Sequence, residues 1–409
     1  MTQRTEHDNA TLPMQLFFTT VQQRLALARQ RYFEEGVRPS GLVGESLIQS
    51  WSRCVQARRN PNESVSFNPV TTSRAHSALQ RSRLLVSSAA GELSQLESTL
   101  AGTACSAILI DAQGVVVHAI RSAGNDDAVV MPLASRVGVE LTEEQVGTTA
   151  PGVTLRTGQA SVVLGAEHFF GCLQVMYCAA APIRDIHGQL AGVLDVSSES
   201  RPFGFDAAAV VNMYATTIEN RLLRAQSTEH IVVHLQTAPS LLGTPIEGLA
   251  GLDAQGRIAW VNSAAARLLG LPCPSSGTPA ETAFGLDLAA LARLTRRDGA
   301  SVHRLPNGLA VWLIARMQSR DGTGPLIALG DGAFGAEMNQ GRNAAAQDVS
   351  PAAQPARSVT SVPESPATLR ANDRLLVEQT LRACGGNVSK AARTLGVSRG
   401  LIYRHLGKP

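Results

Sequence analysis

Asn387-Val388-Ser389-Lys390-Ala391-Ala392-Arg393-Thr394-Leu395-Gly396-Val397-Ser398-Arg399-Gly400-Leu401-Ile402-Tyr403-Arg404-His405-Leu406 decides the reading of this chain. Val388, Ala391, Ala392 and Leu395 fall at i, i+3, i+4 and i+7, one apolar stripe on a short helix. Gly396 ends that helix, because only glycine turns left-handed without penalty. Ser398 caps a second helix with Ile402 and Leu406 on its inner face. The small side chains of Ala391 and Ala392 let the two helices cross closely. The pattern is a helix-turn-helix whose second helix turns Arg399, Tyr403 and Arg404 outward. Segment 370–409 has eight Lys/Arg against Asp373 and Glu378, a net +6, whereas the whole chain is only +3. The positive charge therefore gathers where DNA phosphates would be met. Capping, periodicity, turn glycine and charge agree on double-stranded DNA as a partner, against an ordinary two-helix surface element.

The bulk properties bound the rest. A chain of 409 residues has room for two to four domains. Its 44% apolar and 17% charged residues are those of an ordinary soluble protein. No run approaches the ~18 apolar residues a membrane span needs. The first residues lack a signal peptide's apolar stretch, so the expected location is the cytoplasm. Six cysteines (54, 105, 172, 178, 273 and 384) stand without any Cys-x-x-Cys, which argues against a disulfide framework and a structural zinc. Of the 36 basic residues only Lys390 and Lys408 are lysines. A P-loop requires a lysine on the nucleotide phosphates, so no P-loop ATPase is expected before residue 390.

Upstream the period changes several times. Residues 1–75 read as a helical leader, with apolar residues at helical spacing across 42–54. Leu79, Leu85, Leu93, Leu96 and Leu100 continue the helical pattern. Ala107-Ile108-Leu109-Ile110-Asp111, the turn Ala112-Gln113-Gly114 and 115–120 form a strand hairpin. Further strands are expected at 160–164, 172–181 and 189–196, with Asp185-Ile186-His187-Gly188 as the last turn. A closing helix covers 206–225, where Val210, Tyr214, Ile218 and Leu222 recur every fourth residue. Residues 76–225 thus form one α+β module. A second α+β module occupies 238–330. It opens on the strand Gly248-Leu249-Ala250-Gly251-Leu252-Asp253, the turn Ala254-Gln255-Gly256 and the strand 257–261. Asn262 then caps a helix at 264–269, and Pro306-Asn307-Gly308 leads into a strand at 309–316. Residues 331–369, rich in Ala, Gly, Pro, Ser and Gln, read as a flexible linker.

Three resemblances attach to these residues. Gly386-Asn387-Val388, Ala391-Ala392, Leu395-Gly396 and Ser398-Arg399 resemble the Fis-type DNA-binding domain of bacterial enhancer-binding regulators, with Leu401 where that family commonly has Thr. Glu143-Glu144-Gln145-Val146-Gly147-Thr148, Glu167-His168-Phe169, Cys178-Ala179-Ala180-Ala181-Pro182-Ile183, Gly188-Gln189-Leu190-Ala191-Gly192-Val193-Leu194-Asp195 and Ser50-Trp51-Ser52-Arg53 resemble the GAF sensor and leader of acetoin-catabolism-type regulators. Three positions depart from that pattern: Leu141 for Trp, Thr149 for Asn and Pro151 for an aliphatic residue. The second module resembles a PAS domain, with a docking or dimerisation role and no cofactor. The resemblance implies a multidomain regulator of the order leader, GAF, PAS, linker and helix-turn-helix (370–409). Where the family carries a central AAA+ ATPase, about 40 linker residues stand, short of the ~100-residue scale of a domain.

The reactive side chains concentrate in the first module. Thr148, Glu167, His168, Tyr177 and Cys178 are the candidates for a concave small-ligand site. Lys390, Ser398, Arg399, Gly400, Tyr403, Arg404 and Lys408 are the candidates for DNA contact. A thiol or metal redox sensor, or a GAF-type thiol reductase using Cys172 and Cys178, is the alternative. Neither a nucleophile elbow nor a glycine-rich phosphate loop is present, so no enzyme is expected. The expected partners are a small-molecule effector, RNA polymerase or a co-regulator with its own ATPase, and a second copy of the chain. The stripe Leu376, Val377, Thr380, Leu381 and Cys384 and the closing-helix stripe are the expected dimer seams.

Overall fold

The structure, a computed structural model, describes residues 20–121, 128–228, 230–296 and 299–317. The linker, the stripe 376–384 and every DNA-contact candidate lie outside the described residues. The described chain builds two antiparallel five-stranded sheets, one after the other, flanked by helices.

The first sheet contains β1 (Cys105–Asp111), β2 (Val116–Ile120), β3 (Ser161–Leu164), β4 (Met176–Arg184) and β5 (Leu190–Glu199) in the order β2-β1-β5-β4-β3. Its three inner strands, β1, β5 and β4, bury side chains on both faces, and alternation sorts them. Ile108 and Ile110, Cys178 and Ala180, and Val193 face one core. Ala107, Leu109, Ala179, Ala181, Leu194 and Val196 face the other. The second of these cores is roofed by the helices Arg83–Leu100 and Ala207–Gln226. The latter starts at Asp206, whose carboxylate accepts from Ala209 N–H. Tyr214, Ile218 and Leu222 are spent in this core, so the closing-helix stripe is not a free dimer seam.

The first core is covered by the leader and by residues 131–157. The leader is therefore part of the module's interior rather than an appendage. Trp51 is fully buried against Tyr32 and Phe33, at ring-centroid distances of 5.5 and 5.1 Å. Arg53 grips the buried Glu143 through two bonds of 2.6 and 2.8 Å.

The second sheet contains β6 (Ile231–Gln236), β7 (Gly248–Leu252), β8 (Ile258–Val261), β9 (Ser301–Arg304) and β10 (Ala310–Met317) in the order β8-β7-β6-β10-β9. Its core holds Val233, Leu235, Phe284, Leu291 and Leu313. Asn262 caps the helix Ser263–Leu269 through Ala265 N–H, and its Oδ1 also accepts from Leu249 N–H. Its Nδ2 donates to Glu247 O and to Asn220 of the closing helix, tying the two halves together.

Both sheets turn on the same device. Asp111 Oδ1 accepts from Gln113 and Val115 N–H, and Gly114 takes φ +85°. Asp253 Oδ1 accepts from Gln255 and Arg257 N–H, with Gly256 at φ +72°. Asp185 and Gly188 repeat it. An acceptor at the first position and a left-handed glycine at the fourth make the tight hairpin, and each is followed by a register shift in its ladder.

Several elements differ from the sequence expectation. β6 is absent from it, because a strand buried on both faces shows no alternation. The strand expected at 172–181 starts at Met176 and runs to Arg184, since Gly171–Leu173 close a single 3-10 turn. The short helices Ala280–Phe284 and Leu288–Leu294 carry too few residues to show a period.

Candidate functional site

A small cavity of about 40 Å³ lies between β4–β5 and the segments 67, 130–151 and 168–176. Its walls are apolar, with Phe67, Ile108, Met131, Leu141 and Met176 among them, and its polar groups are His168, Cys178, Asp195, Ser197 and Thr149. Strand geometry explains the polar cluster. Cys178 pairs with Ser197 across β4–β5, Asp195 lies two residues along β5, and all three therefore point to the same face.

His168 is wholly buried. Its Nδ1 lies 3.0 Å from Gly165 O, so Nδ1 carries the proton and donates. Nε2 is then the acceptor facing the Cys178 thiol at 3.6 Å. Burial drives the imidazole down to about 4, leaving it neutral. Burial also pushes the Cys178 thiol well above its ordinary value, aided by the nearby Asp195 carboxyl. A thiol–imidazole pair kept neutral on both sides is no activated nucleophile.

Asp195 is almost wholly buried. Ser197 Oγ donates to its Oδ2 at 2.7 Å, while its Oδ1 has no hydrogen-bond partner. Burial raises its carboxyl to about 7, against the partial relief from Ser197. An unpaired oxygen of this kind costs on the order of 1–3 kcal/mol and more when charged.

The cavity's walls are clamped from outside. Arg29 donates to the carbonyls of Ala166 (3.1 Å), His168 (2.8 Å) and Phe169 (3.2 Å), and Trp51 Nε1 donates to Glu167 O at 2.8 Å. Through these bonds the leader fixes the loop that presents His168. On the opposite side the Glu199 carboxylate accepts from the N–H groups of Val129, Val130 and Met131, an anion at the start of the helix Met131–Ala134.

Of the five sequence-based ligand candidates, the structure brings His168 and Cys178 into the cavity wall and leaves three outside. The Thr148 hydroxyl is 2.7 Å from Ser50 Oγ and faces the leader. The Glu167 carboxylate folds back to accept Leu164 N–H at 2.8 Å. Tyr177, one residue from Cys178 on β4, emerges on the other face of the sheet. Sequence reading missed Asp195 and Arg29. A lone acid within Val193-Leu194-Asp195-Val196 was the available signal for the first; nothing local marks Arg29. The three departures from the GAF pattern, Leu141, Thr149 and Pro151, all line the cavity.

The cysteines of the redox alternative are placed apart in kind. Cys172 is exposed, with its Sγ 3.7 Å from Glu63 O, whereas Cys178 is buried. Among the described residues no three His, Cys, Asp or Glu side chains are grouped to hold a metal ion. None of the described helices is long and apolar enough to cross a membrane.

A larger cleft of about 630 Å³ lies where the β4–β5 hairpin and the closing helix meet β8 and residues 273–276. Its charged groups are engaged. Arg184 donates to Gly158 O and Gly188 O, Glu219 accepts from Arg184 N–H, and Asp185 serves its own turn. The smaller cavity, whose wall gathers His168, Cys178 and Asp195 with the three departures from the GAF pattern, is the better candidate site.

The fold and site define a multidomain protein with an α+β, cavity-bearing N-terminal region. Comparison with known proteins gives its kin. Residues 20–216 match the family described as MimR, N-terminal domain, and residues 368–408 match the bacterial regulatory protein, Fis family. The acetoin catabolism regulatory protein of Cupriavidus necator is 34% identical over 251 residues, which is 60% of this chain and 37% of that protein. The propane 2-monooxygenase operon transcriptional activator MimR of Mycolicibacterium smegmatis is 25% identical, over 48% of this chain and 32% of the relative. A crystal structure of the E. coli DhaR(N)–DhaL complex aligns at 16% identity and a TM-score of 0.42, covering 66% of this chain and 99% of that one. The chain thus resembles the MimR N-terminal domain over 20–216 and the Fis-family helix-turn-helix over 368–408, and the relatives named here are transcriptional regulators. It spans about a third of the length of the curated relatives it matches.

Proposed function

We propose that this chain is a sequence-specific DNA-binding transcriptional regulator controlled by a small molecule held in the first module. The observation that carries the reading is the pairing, in one chain, of a segment that matches the Fis family with a small apolar-walled cavity in the first module, beside which His168, Cys178 and Asp195 are buried. The first module acts as a GAF-type sensor over 76–225 and the second as a PAS-like docking module over 238–330, with 331–369 as the linker to the DNA-binding domain at 370–409. Effector binding shifts the population between sensor conformations, and so the presentation of two DNA-binding domains in a homodimer. Without lysine before residue 390 the chain has no P-loop of its own. It therefore acts through RNA polymerase directly or through a separate ATPase-bearing co-regulator, and its place of action is the cytoplasm.

Within the helix-turn-helix, Arg399 reads a base edge from the first turn of the recognition helix, with Ser398, Gly400 and Tyr403 beside it, while Lys390, Arg404 and Lys408 meet phosphates. Two-fold symmetry places the half-sites about 10 base pairs apart. Selection of bound duplexes from a random pool tests this reading. The full chain enriches an inverted repeat, Arg399→Ala loses ~1–3 kcal/mol on it and relaxes its sequence, and Arg404→Ala weakens all DNA alike. A chain that enriches nothing, or an Arg399→Ala protein that enriches the same sequence, refutes it.

A further inference from the structure

The larger cleft has its charges engaged but not its neutral polar groups. Its volume of about 630 Å³ lies within the range of sites that hold a whole small molecule. One wall is a face of the closing helix, with Asn212, Thr216 and Glu219 at i, i+4 and i+7. From the second module come Ser263, Ser275 and Ser276. Pro274 meets the β4–β5 turn at Gly188, where a Cβ would come within 2.8 Å of the proline ring. Both modules therefore build the cleft, and Ala215, Leu223 and Val261 line its buried, apolar part.

Most of the polar groups here are hydroxyls without a partner. Ser275 is only 7% exposed, yet its hydroxyl is bonded to nothing among the described residues and is not sealed off, which leaves it open to the cleft it lines. The hydroxyls of Thr216, Ser263 and Ser276 stand exposed and equally unbonded. Asn212 donates from Nδ2 to Ala208 O and keeps its Oδ1. Glu219 spends one oxygen on Arg184 N–H at 2.8 Å and keeps the other. Burial raises the Glu219 carboxyl, and a hydroxyl suits both of its states, donating to the carboxylate and accepting from the acid. An anion is poorly served, because Arg184 commits both terminal nitrogens to the carbonyls of Gly158 and Gly188. A purely apolar molecule would strip these groups of water and return no bond, at ~1–3 kcal/mol each.

We propose that this cleft binds an uncharged, polyhydroxylated molecule of the size of a sugar or sugar alcohol, whose hydroxyls bridge the serines of the second module to Asn212 and Thr216 of the closing helix. It is a second site, independent of the sensing role of the small cavity, and a ligand there fastens one module to the other.

The test is calorimetric titration of the purified full chain with glycerol, sorbitol and sucrose, and with gluconate and 1,6-hexanediol as the charged and the hydroxyl-poor counterparts of sorbitol. At least one of the three uncharged polyols gives a saturable heat, which the general exclusion of sugars from protein surfaces does not. Gluconate and 1,6-hexanediol bind at least about tenfold more weakly than the best of them. Ser275→Ala keeps the unliganded melting temperature, since its hydroxyl has no partner to lose, and weakens polyol binding about two- to tenfold. Thr216→Phe, which projects a ring into the cleft from an exposed position, abolishes binding. Leu141→Trp, which fills the cavity of the first module, leaves it unchanged.

No saturable heat from any of the three polyols, or equal binding of gluconate or 1,6-hexanediol, overturns the ligand class. Full polyol affinity in Ser275→Ala or in Thr216→Phe overturns the site. Should Thr216→Phe fail to fold, Ser275→Ala and the ranking of the probes still decide. Loss of polyol binding in Leu141→Trp would move the ligand to the first module's cavity, and so overturn this site while leaving the sensing role standing.

Discussion

The two sheet modules are built alike and finished differently. Each is five antiparallel strands, each contains an Asp-Ala-Gln-Gly hairpin (Asp111–Gly114 and Asp253–Gly256), and each has helices packed against its sheet. In the second module the core around Val233, Phe284 and Leu313 is bordered by His303, whose Nε2 is 2.6 Å from Phe284 O. Its buried acid, Glu247, is met by His234 Nδ1 at 3.0 Å and Gly243 N–H at 2.7 Å. In the first module a carboxyl, an imidazole and a thiol are gathered beside one cavity, and Asp195 Oδ1 is left without a partner. Unpartnered buried atoms occur in both modules, Glu92 Oε2 in the first and Trp260 Nε1 in the second, so it is the grouping of titratable side chains that sets the first apart.

The comparison can be broken or sharpened by mutation. The largest effect is expected from Trp51→Ala. If the leader is part of the sensor's core, removing this buried side chain costs ~3–5 kcal/mol in urea unfolding. A cost below 1 kcal/mol, the level of a surface change, would return the leader to the status of an appendage.

Next comes Arg53→Ala, which leaves the buried Glu143 carboxylate without its bidentate partner. The expected loss is ~1.5–3 kcal/mol, the range for hydrogen bonds to charged groups. Arg74→Ala breaks a pair whose arginine is half exposed, and the loss should stay within ~0–1 kcal/mol.

The pH dependence separates the two buried groups of the cavity by sign. Asp195 has its folded-state pKa raised from 3.8 to about 7. The native state then holds a proton that the unfolded chain releases, so this group lowers stability as pH climbs from about 4 to 7. The advantage of Asp195→Leu over wild type should grow through that window and level off above it. His168 runs the other way, with its pKa lowered from 6.5 to about 4. The unfolded chain gains a proton that the native state refuses, so wild type loses stability relative to His168→Leu as pH falls through that interval. Denaturant titrations at pH 4, 5.5, 7 and 8 measure both differences. Parallel curves for wild type and both variants would show that neither group is buried as described.

Much of the architecture was legible because the deciding residues are local. Asp111, Gly114, Asp253, Gly256 and Asn262 announce turns and a cap within a few positions of where their bonds are made. The elements that escaped lacked a local signature. β6 is buried on both faces, and the helices 280–284 and 288–294 are too short for a period to show.

The site was half legible for the same reason. His168 and Cys178 stood out by residue type, whereas Tyr177, next to Cys178 on the same strand, had to emerge on the opposite face by alternation alone. Asp195 stood inside a recognised string and read as part of a strand. Its importance comes from Ser197 serving only one of its oxygens, a fact of the folded cavity. Arg29 binds carbonyls more than 130 residues away, which no local pattern reports.

The central claim is that the cavity of the first module governs DNA binding at the other end of the chain. The direct measurement is the affinity of the full chain for a duplex selected from a random pool, in wild type and in Leu141→Trp, each with and without a saturating small molecule chosen because it raises the wild type's melting temperature. The account predicts a ligand-dependent change of about 5–150-fold in the wild type, the usual span of allosteric coupling, and none in the filled-cavity variant. An affinity indifferent to that molecule in the wild type, or shifted equally in both proteins, would contradict it.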